Sequence, residues 1–528
     1  MPEQRITLEN NYRGLVKHWV SKGALDNSGY RKGGAGYAVS MLNINPFLAQ
    51  GLLTPGFQYS DIDSTDAADV TTSVTAFATT VVGGAIAAYG IGADKIYKII
   101  GASTEYNDIV DNTPTTPTWP HTIADAGDTG FVNDALVVDL TIGGNKVRCL
   151  LYSYNLFSSA SGAGRLGRFD ITNDSDWGAG NSSDTAYSLS NNDVAVGTVS
   201  NLFKVDRPMV LGPNGILYIG SGYKVDSLDT TVNDAAISLN VIDIPPTFKI
   251  RSLAFYKKFL VIHAEKIILS TTEMRGQTVV FFWDTTSPSF EEPVYTDDET
   301  AGALYTDAGE LFAFTGSTLF GKLRKWNGQE FEVLTEIAST IPKHGAVEKF
   351  RDGMMWGSGA SVYRYATVVD GYGRGLWQTD GSSGTISCVK RLYPNNEVLH
   401  IAGNNYIRKT NTTKRMDSAN YSFPLRELPH RSTINQIIAY FLPLATGDDM
   451  MLRYLKNFST TYNNHAPVSF GTSIQGSFTT ADGAVSYKVF TDVVQDVNQI
   501  QFNLIWAGTN PASQVALSRI DIDYISGS

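Results

Sequence analysis

One short pattern constrains this chain more than any other feature, because it returns seven times: a tight-turn residue, an apolar burst, a small polar gap and a second apolar burst. Copies begin at Gly84, Gly144, Asn214, Lys258, Gly309, Gly353 and Asn396. The turn positions 215, 258, 309, 353 and 396 are separated by 43, 51, 44 and 43 residues. A period of roughly 40–50 residues with several short strands per unit is the mark of a β-propeller blade. The earlier intervals, 60 and 71 residues, read as blades with loop insertions.

Each apolar burst has the length of a strand. The gaps hold Gly, Ser, Asn or Asp, which tolerate the backbone angles of hairpin turns. Each unit therefore opens on an antiparallel hairpin, and Leu323–Leu334, with its Asn327-Gly328 turn, supplies a following one. Phe281–Asp284 and Arg168–Ile171 play similar parts elsewhere. Near-continuous apolar inner strands suit burial between neighbouring sheets. A lone blade cannot bury both faces, whereas a closed ring can.

The expected architecture is all-β: a seven-bladed propeller over residues 81–410, then a β-sandwich over 421–528. Residues 1–80 carry no repeat and read as an extended lead-in that docks on the propeller or on a neighbour. Residues 411–420 read as a polar linker, so the sandwich is expected to separate from the ring under proteolysis near Lys409, Lys414 or Arg415. In the sandwich, Ile500, Phe502, Leu504 and Trp506 alternate with Gln501 and Asn503, as on a half-buried strand.

Bulk properties exclude some function classes. The net charge of −11 argues against generic DNA binding, which needs a basic stripe, though a negative lumen would let DNA slide without sticking. Charged residues are 18% of the 528, below the usual ~25%, which fits a surface partly buried in an assembly. The first residues show no apolar signal core, and no run reaches the ~20 apolar residues of a membrane span. The expectation is a soluble chain made in the cytoplasm of its host, with no signal-peptide export.

Chemistry is sparse. Cys149 and Cys388 stand in no metal or redox spacing and read as buried thiols. Gly316–Leu323 nearly matches a phosphate-binding loop but has Leu323 where Ser or Thr would hold Mg²⁺. His263 and His400 occupy similar inner-strand places in two units. Asp61–Asp66 and Asp297–Glu299 are acidic clusters of the kind that hold Ca²⁺ or form solvated turns. Asp174–Gly178 is a partial echo of the sialidase Asp box. No catalytic, cofactor or metal residue is assigned, and no cofactor is expected.

The lead-in Asn45–Phe57, the loose repeats of 81–410 and the ending Gln501–Trp506 followed by Ile520–Tyr524 together resemble the tail-hub or nozzle proteins of tailed bacteriophages. That resemblance implies a structural virion protein, arranged as a ring of copies, commonly six, around the DNA channel, with other tail proteins as partners and no catalytic residues. Long loops near 105–130 and 181–195 would interlock neighbours. Two other readings stand beside it. One is a glycan-binding receptor protein using Trp506, Tyr487 and Tyr524 as stacking faces; the other is a propeller glycosidase.

Overall fold

The computed structural model describes residues 4–9, 40–44, 54–62, 70, 72–82, 85–102, 105–109, 121–122, 129–157, 162–171, 175–176, 187–190, 206–266, 277–317, 320–337, 340–350, 353–366, 375–381, 384–391, 398–423, 426–442, 448–457, 477–478, 487–490, 494–508 and 517–526. Every element among them is a β-strand, and the strands form eight sheets. Seven of those sheets are blades of one ring.

Blade 1 runs Ala76–Val82, Ala85–Ile91, Lys95–Ala102 and Glu105–Ile109 from the axis outward. Blade 2 begins with Thr129–Ile142, Asn145–Phe157 and Gly162–Asp170. Blade 3 comprises Met209–Leu211, Ile216–Ser221, Lys224–Asp229 and Ile237–Asp243, and blade 4 Phe248–Tyr256, Phe259–Lys266, Thr278–Trp283 and Val294–Thr296. Blade 5 comprises Thr300–Asp307, Glu310–Gly316, Gly321–Trp326 and Phe331–Ile337, and blade 6 Val347–Phe350, Gly353–Ser358, Ser361–Ala366 and Gly375–Gly381. Blade 7 runs Ile386–Arg391, Leu399–Gly403 and Tyr406–Arg415, and its outer strand is Phe57–Asp61 from the far end of the chain.

The repeat in the sequence is the second and third strand of blades 1, 3, 5, 6 and 7, and the second strand of blades 2 and 4. In blade 3 these strands pair across Gly222, whose φ of +70° a side chain would resist. The inner strands touch in a closed cycle from blade 1 through blade 7 and back to blade 1. Seven apolar clusters follow the same cycle, each shared by two adjacent blades. Strand Thr278–Trp283 shows how: Val279, Phe281 and Trp283 pack toward blade 3, while Val280 and Phe282 pack toward blade 5. Trp356 of blade 6 lies 4.9 Å from Phe314 of blade 5 and 6.0 Å from Tyr363.

The eighth sheet folds into a two-layered sandwich around one core. Strand Arg426–Phe441 pairs with Val494–Gly508 along its first half and with Leu517–Ile525 along its second. Ile500, Phe502, Leu504 and Trp506 all enter the core, as their alternation requires. Gln501 and Asn503 face away yet are also buried. Gln501 Nε2 donates to the Phe423 carbonyl at 2.9 Å and Asn503 Nδ2 to Ser422 Oγ at 2.9 Å.

The lead-in and linker expected from composition do not follow the strands. Within residues 1–80, Gln4–Glu9 pairs with Leu517–Ile525 and Ser40–Leu42 with Ser418–Ser422, both in the sandwich, whereas Phe57–Asp61 closes blade 7 and blade 1 opens at Ala76. The polar stretch 411–420 is strand too, except at Met416 and Asp417: Tyr406–Arg415 continues through it with a bulge at 412–414, and Ser418–Ser422 follows. The chain crosses between the units twice, and the crossings are bonded together. Gly56 N donates to the Asn43 carbonyl at 2.7 Å, Met416 N to the Gly56 carbonyl at 2.9 Å, and Gln58 Nε2 to Asp417 at 2.7 Å. Strand Ser40–Leu42 also touches the outer strand of blade 6.

Trypsin acting on the native protein is therefore expected to spare Lys409, Lys414 and Arg415, because Lys409 pairs with Ser60, Arg415 pairs with Phe57, and Lys414 lies in the bulge between them. Deleting residues 1–62 is expected to lower the melting temperature of the ring and of the sandwich together. Early cleavage at those three sites, or a ring unchanged by the deletion, would contradict this.

Candidate functional site

Between blades 5 and 6 the chain does not pass directly. Segment 340–346 touches the inner strands of blades on opposite sides of the ring, which places it on the axis. Pro342 accepts a hydrogen bond from Ala303 N of blade 5 at 2.8 Å. A Cβ on Gly345, whose φ is +78°, would stand 3.1 Å from Ala76 of blade 1 and 3.6 Å from Asp134 of blade 2. Ala346 is buried in the cluster shared by blades 7 and 1.

His344 is the centre of this plug. Its Nε2 lies 2.9 Å from the Met209 carbonyl of blade 3 and 3.2 Å from Asp134 Oδ2. Its Nδ1 lies 2.9 Å from Ser252 Oγ of blade 4. Ser252 Oγ also accepts from Leu304 N of blade 5 at 2.9 Å, and Asp134 Oδ2 accepts from Met209 N at 2.7 Å. One imidazole thus joins three blades directly and a fourth through Ser252. A proton on Nε2 satisfies both the carbonyl and the carboxylate, and leaves Nδ1 to accept from Ser252.

Ser252, His344 and Asp134 form a Ser–His–Asp constellation by contact, and two features separate it from a hydrolytic triad. The serine meets Nδ1 and the carboxylate meets Nε2, the reverse of the usual assignment. The Ser252 residue is wholly buried and its oxygen already receives a backbone donor, so it has no open approach for a substrate carbonyl. The arrangement works as a rivet.

Burial pushes the imidazolium of His344 toward neutrality, but the Asp134 carboxylate and the Met209 carbonyl outweigh it and raise its pKa. His263, buried in the second strand of blade 4, goes the other way: burial lowers it to about 4, and its Nδ1 lies 3.0 Å from the Gly302 carbonyl. A second polar knot binds blades 2 and 3. Buried Arg207 donates to Asn155 and Ser221, and its guanidinium packs so closely on Gly164 that no Cβ would fit there. Burial lowers Arg207 to about 10, which still leaves it charged at neutral pH. In blade 4, Glu265 holds Arg251 at 2.7 Å and Lys249 at 2.9 Å, and accepts from Ala301 N of blade 5 at 3.1 Å.

The residues singled out from sequence mostly fall into such structural roles. His263 and His400 do occupy matching second strands, both buried. Cys149 and Cys388 are buried thiols whose pKa burial raises, the former to about 12. Lys322, of the phosphate-loop echo, pairs with Asp298 at 2.7 Å. Asp298 also takes Arg324 at 2.7 Å and Thr315 at 2.6 Å, which removes the central carboxylate of the 297–299 cluster from any cation. Asp61 pairs with Arg408 at 2.9 Å, while Asp63 and Asp66 lie outside the described residues, as does Asp174. Among the described residues no group of three or more His, Cys, Asp or Glu is placed to hold a metal. Trp506 and Tyr524 belong to the sandwich core, whereas Tyr487 is 50% exposed and lies 6.0 Å from Tyr440. The loops near 105–130 and 181–195 lie largely outside the described residues. Sequence reading missed His344, Asp134 and Ser252, because nothing in their spacing joins residues of three distant units.

No family model and no curated protein matches this chain. Among solved structures it is similar to the extracellular domain of a putative hybrid two-component system from B. thetaiotaomicron, at 9% identity and a TM-score of 0.39, over 85% of this chain and 57% of that one. It is similar to the Dos1 propeller at 10% identity and a TM-score of 0.35, over 67% and 94% of the two chains. It is also similar to an exo-β-1,3-galactanase from Phanerochaete chrysosporium at 8% identity and a TM-score of 0.26, over 60% and 95%. At such values these likenesses say nothing of function, and the ring rests on its own strand pairing.

The two histidines set a pH window. A raised pKa means that the His344 contribution is fully present below the ordinary value of ~6.5 and is lost as pH rises through its folded value. A lowered pKa means that the His263 contribution is present above ~6.5 and is lost as pH falls toward about 4. Thermal stability is expected to be greatest near neutral pH and to fall on both sides. His344→Ala is expected to cost ~2–3 kcal/mol and to abolish the alkaline limb of the histidine-dependent profile. An unchanged alkaline limb in that variant would refute the rivet. Thiol reagents are expected to leave both cysteines unlabelled until the protein is denatured.

Proposed function

We propose that this chain is a structural subunit of a bacteriophage virion, a tail hub or nozzle protein that assembles in several copies around the DNA channel and carries out no catalysis. The observation that carries the reading is the filled axis. The segment 340–346 occupies the centre of the propeller and satisfies its polar groups internally, which makes the ring a rigid block. DNA would then pass through a lumen between copies, with partners docking on the perimeter. The doubly bonded crossing to the sandwich supports the same reading, because it fixes a second docking unit to the first without a swivel. The net charge of −11 suits a lumen through which DNA slides.

A second reading, a glycan-binding receptor protein, has one observation in its favour. Tyr487 is half exposed beside Tyr440, a pair that could stack on a sugar ring.

Mass spectrometry and imaging of purified particles test the first reading. The chain is expected in a fixed multiple copy number at the tail, and the purified protein is expected to release no sugar from polysaccharides. Its absence from particles, together with glycan binding abolished by Tyr487→Ala, would replace the first reading by the second.

A further inference from the structure

Asn is followed by Gly at two places in the chain, Asn214-Gly215 and Asn327-Gly328. Both pairs sit in tight turns of the ring, the first between strands one and two of blade 3, the second between strands three and four of blade 5. In such a pair the glycine nitrogen can attack the asparagine amide carbon, because no Cβ hinders its approach. The surroundings of the amide decide whether it does.

The Asn327 amide is held as an enzyme holds a reacting acyl group. Its Oδ1 accepts from Gln329 N at 2.8 Å and from Glu330 N at 2.9 Å. A pair of backbone N–H groups on one carbonyl oxygen is what an oxyanion hole supplies. Its Nδ2 donates to Glu332 Oε1 at 2.6 Å, so a carboxylate stands beside the group that would leave. Gly328 has a φ of +110° and nothing within 4 Å of where a Cβ would stand. Its own N–H donates to no partner among the described residues. Residues 327–330 are exposed, so water reaches the turn.

Two other asparagines each lack part of this arrangement. Asn214 Oδ1 accepts only from Ile216 N, at 3.2 Å, among the described residues, and the Gly215 N–H is taken by the Gly212 carbonyl at 3.0 Å. Asn457 Oδ1 accepts from Asn498 N at 2.8 Å and Gln499 N at 3.2 Å, but the next residue is Phe458. Asn327 alone of the three combines the paired donors with a following glycine.

We propose that Asn327 is a self-modification site: Gly328 N attacks Asn327 Cγ, the Cγ–Nδ2 bond breaks, and the cyclic imide so formed is opened by water to aspartate or isoaspartate. The proton lost by Gly328 N leaves on Nδ2, so the nitrogen departs as ammonia and no electron changes hands. Negative charge gathering on Oδ1 falls between the Gln329 and Glu330 N–H groups, and positive charge on the departing nitrogen faces Glu332. Water then adds across one of the two imide C–N bonds. Either product sets a new carboxylate against Glu332, and isoaspartate also lengthens the backbone by a methylene. The turn closes on Trp326 and Phe331, whose rings lie 5.1 Å apart, and Trp326 lies 5.0 Å from Phe282 of blade 4, so the change reaches the seam between blades 4 and 5. The inference goes beyond the virion reading and does not depend on it.

The test incubates the full-length chain at mildly alkaline pH. Peptide mapping by mass spectrometry reads the mass gained when an amide becomes a carboxylate, and fragmentation separates aspartate from isoaspartate. In the folded protein Asn327 is expected to convert at least about tenfold faster than Asn214, and Asn457 to remain an amide. In denaturant, where the paired donors are lost, the two Asn-Gly sites are expected to convert alike. Glu332→Gln keeps an acceptor and removes the charge; it is expected to slow conversion at Asn327 about threefold or more, with a melting curve matched to the parent. Equal rates at Asn214 and Asn327 in the folded protein would overturn the inference. So would the same ratio of rates folded and denatured, or a rate that Glu332→Gln leaves unchanged. None of these results bears on the presence of the chain in virions, which mass spectrometry of particles reads separately.

Discussion

The fold depends on burying both faces of every blade at once. Strand Thr278–Trp283 is apolar on both sides, so blade 4 is stable only between two neighbours, and the same holds around the cycle. A row of such sheets has no stable end. Closure is the solution, and it needs a last contact between blades 7 and 1, supplied by Cys388, Ala402 and Ile407 against Phe77, Tyr97 and Ile99. It also needs a fourth strand for blade 7. That strand comes from Phe57–Asp61, before the first blade in the chain, so the two ends of the repeat region are held by backbone hydrogen bonds as well as by apolar packing.

This closure explains the sandwich. Once residues 57–61 are fixed in blade 7, the preceding chain leaves the ring beside the strand that leads out of it at Arg415. Two neighbouring exits favour pairing, and the bonds among Asn43, Gly56 and Met416 are the result. Ile44 enters the sandwich core at the same point, so the crossing ribbon is apolar-anchored as well as bonded.

The parts legible in the sequence were those written in local periodicity. Hairpins with turns at Gly222, Gly309 and Gly359 announced themselves through turn residues with positive φ between apolar bursts. Alternation placed Ile500, Phe502, Leu504 and Trp506 in a core. Short strands whose partners lie hundreds of residues away were not legible: Gln4–Glu9, Ser40–Leu42 and Phe57–Asp61 carry too few residues to show a period. The polar composition of 411–420 suggested a linker, although threonine is equally at home on a strand. The hub was illegible for a different reason. Asp134, Ser252 and His344 are brought together only by ring closure, and each alone looks like an ordinary polar residue.

The hub also shows how the ring divides its polar chemistry. Its centre is crowded by inner strands whose carbonyls and amides, such as Met209 and Leu304, point where no strand partner is available. An apolar plug would leave those groups unsatisfied at a cost of ~1–3 kcal/mol each. A histidine between a serine and an aspartate answers several of them at once, which accounts for a catalytic-looking trio whose serine is wholly buried. With the axis given over to holding the blades together, the surfaces left for recognition are the perimeter and the sandwich. There the chain exposes Leu239, Tyr295, Val333 and Tyr487.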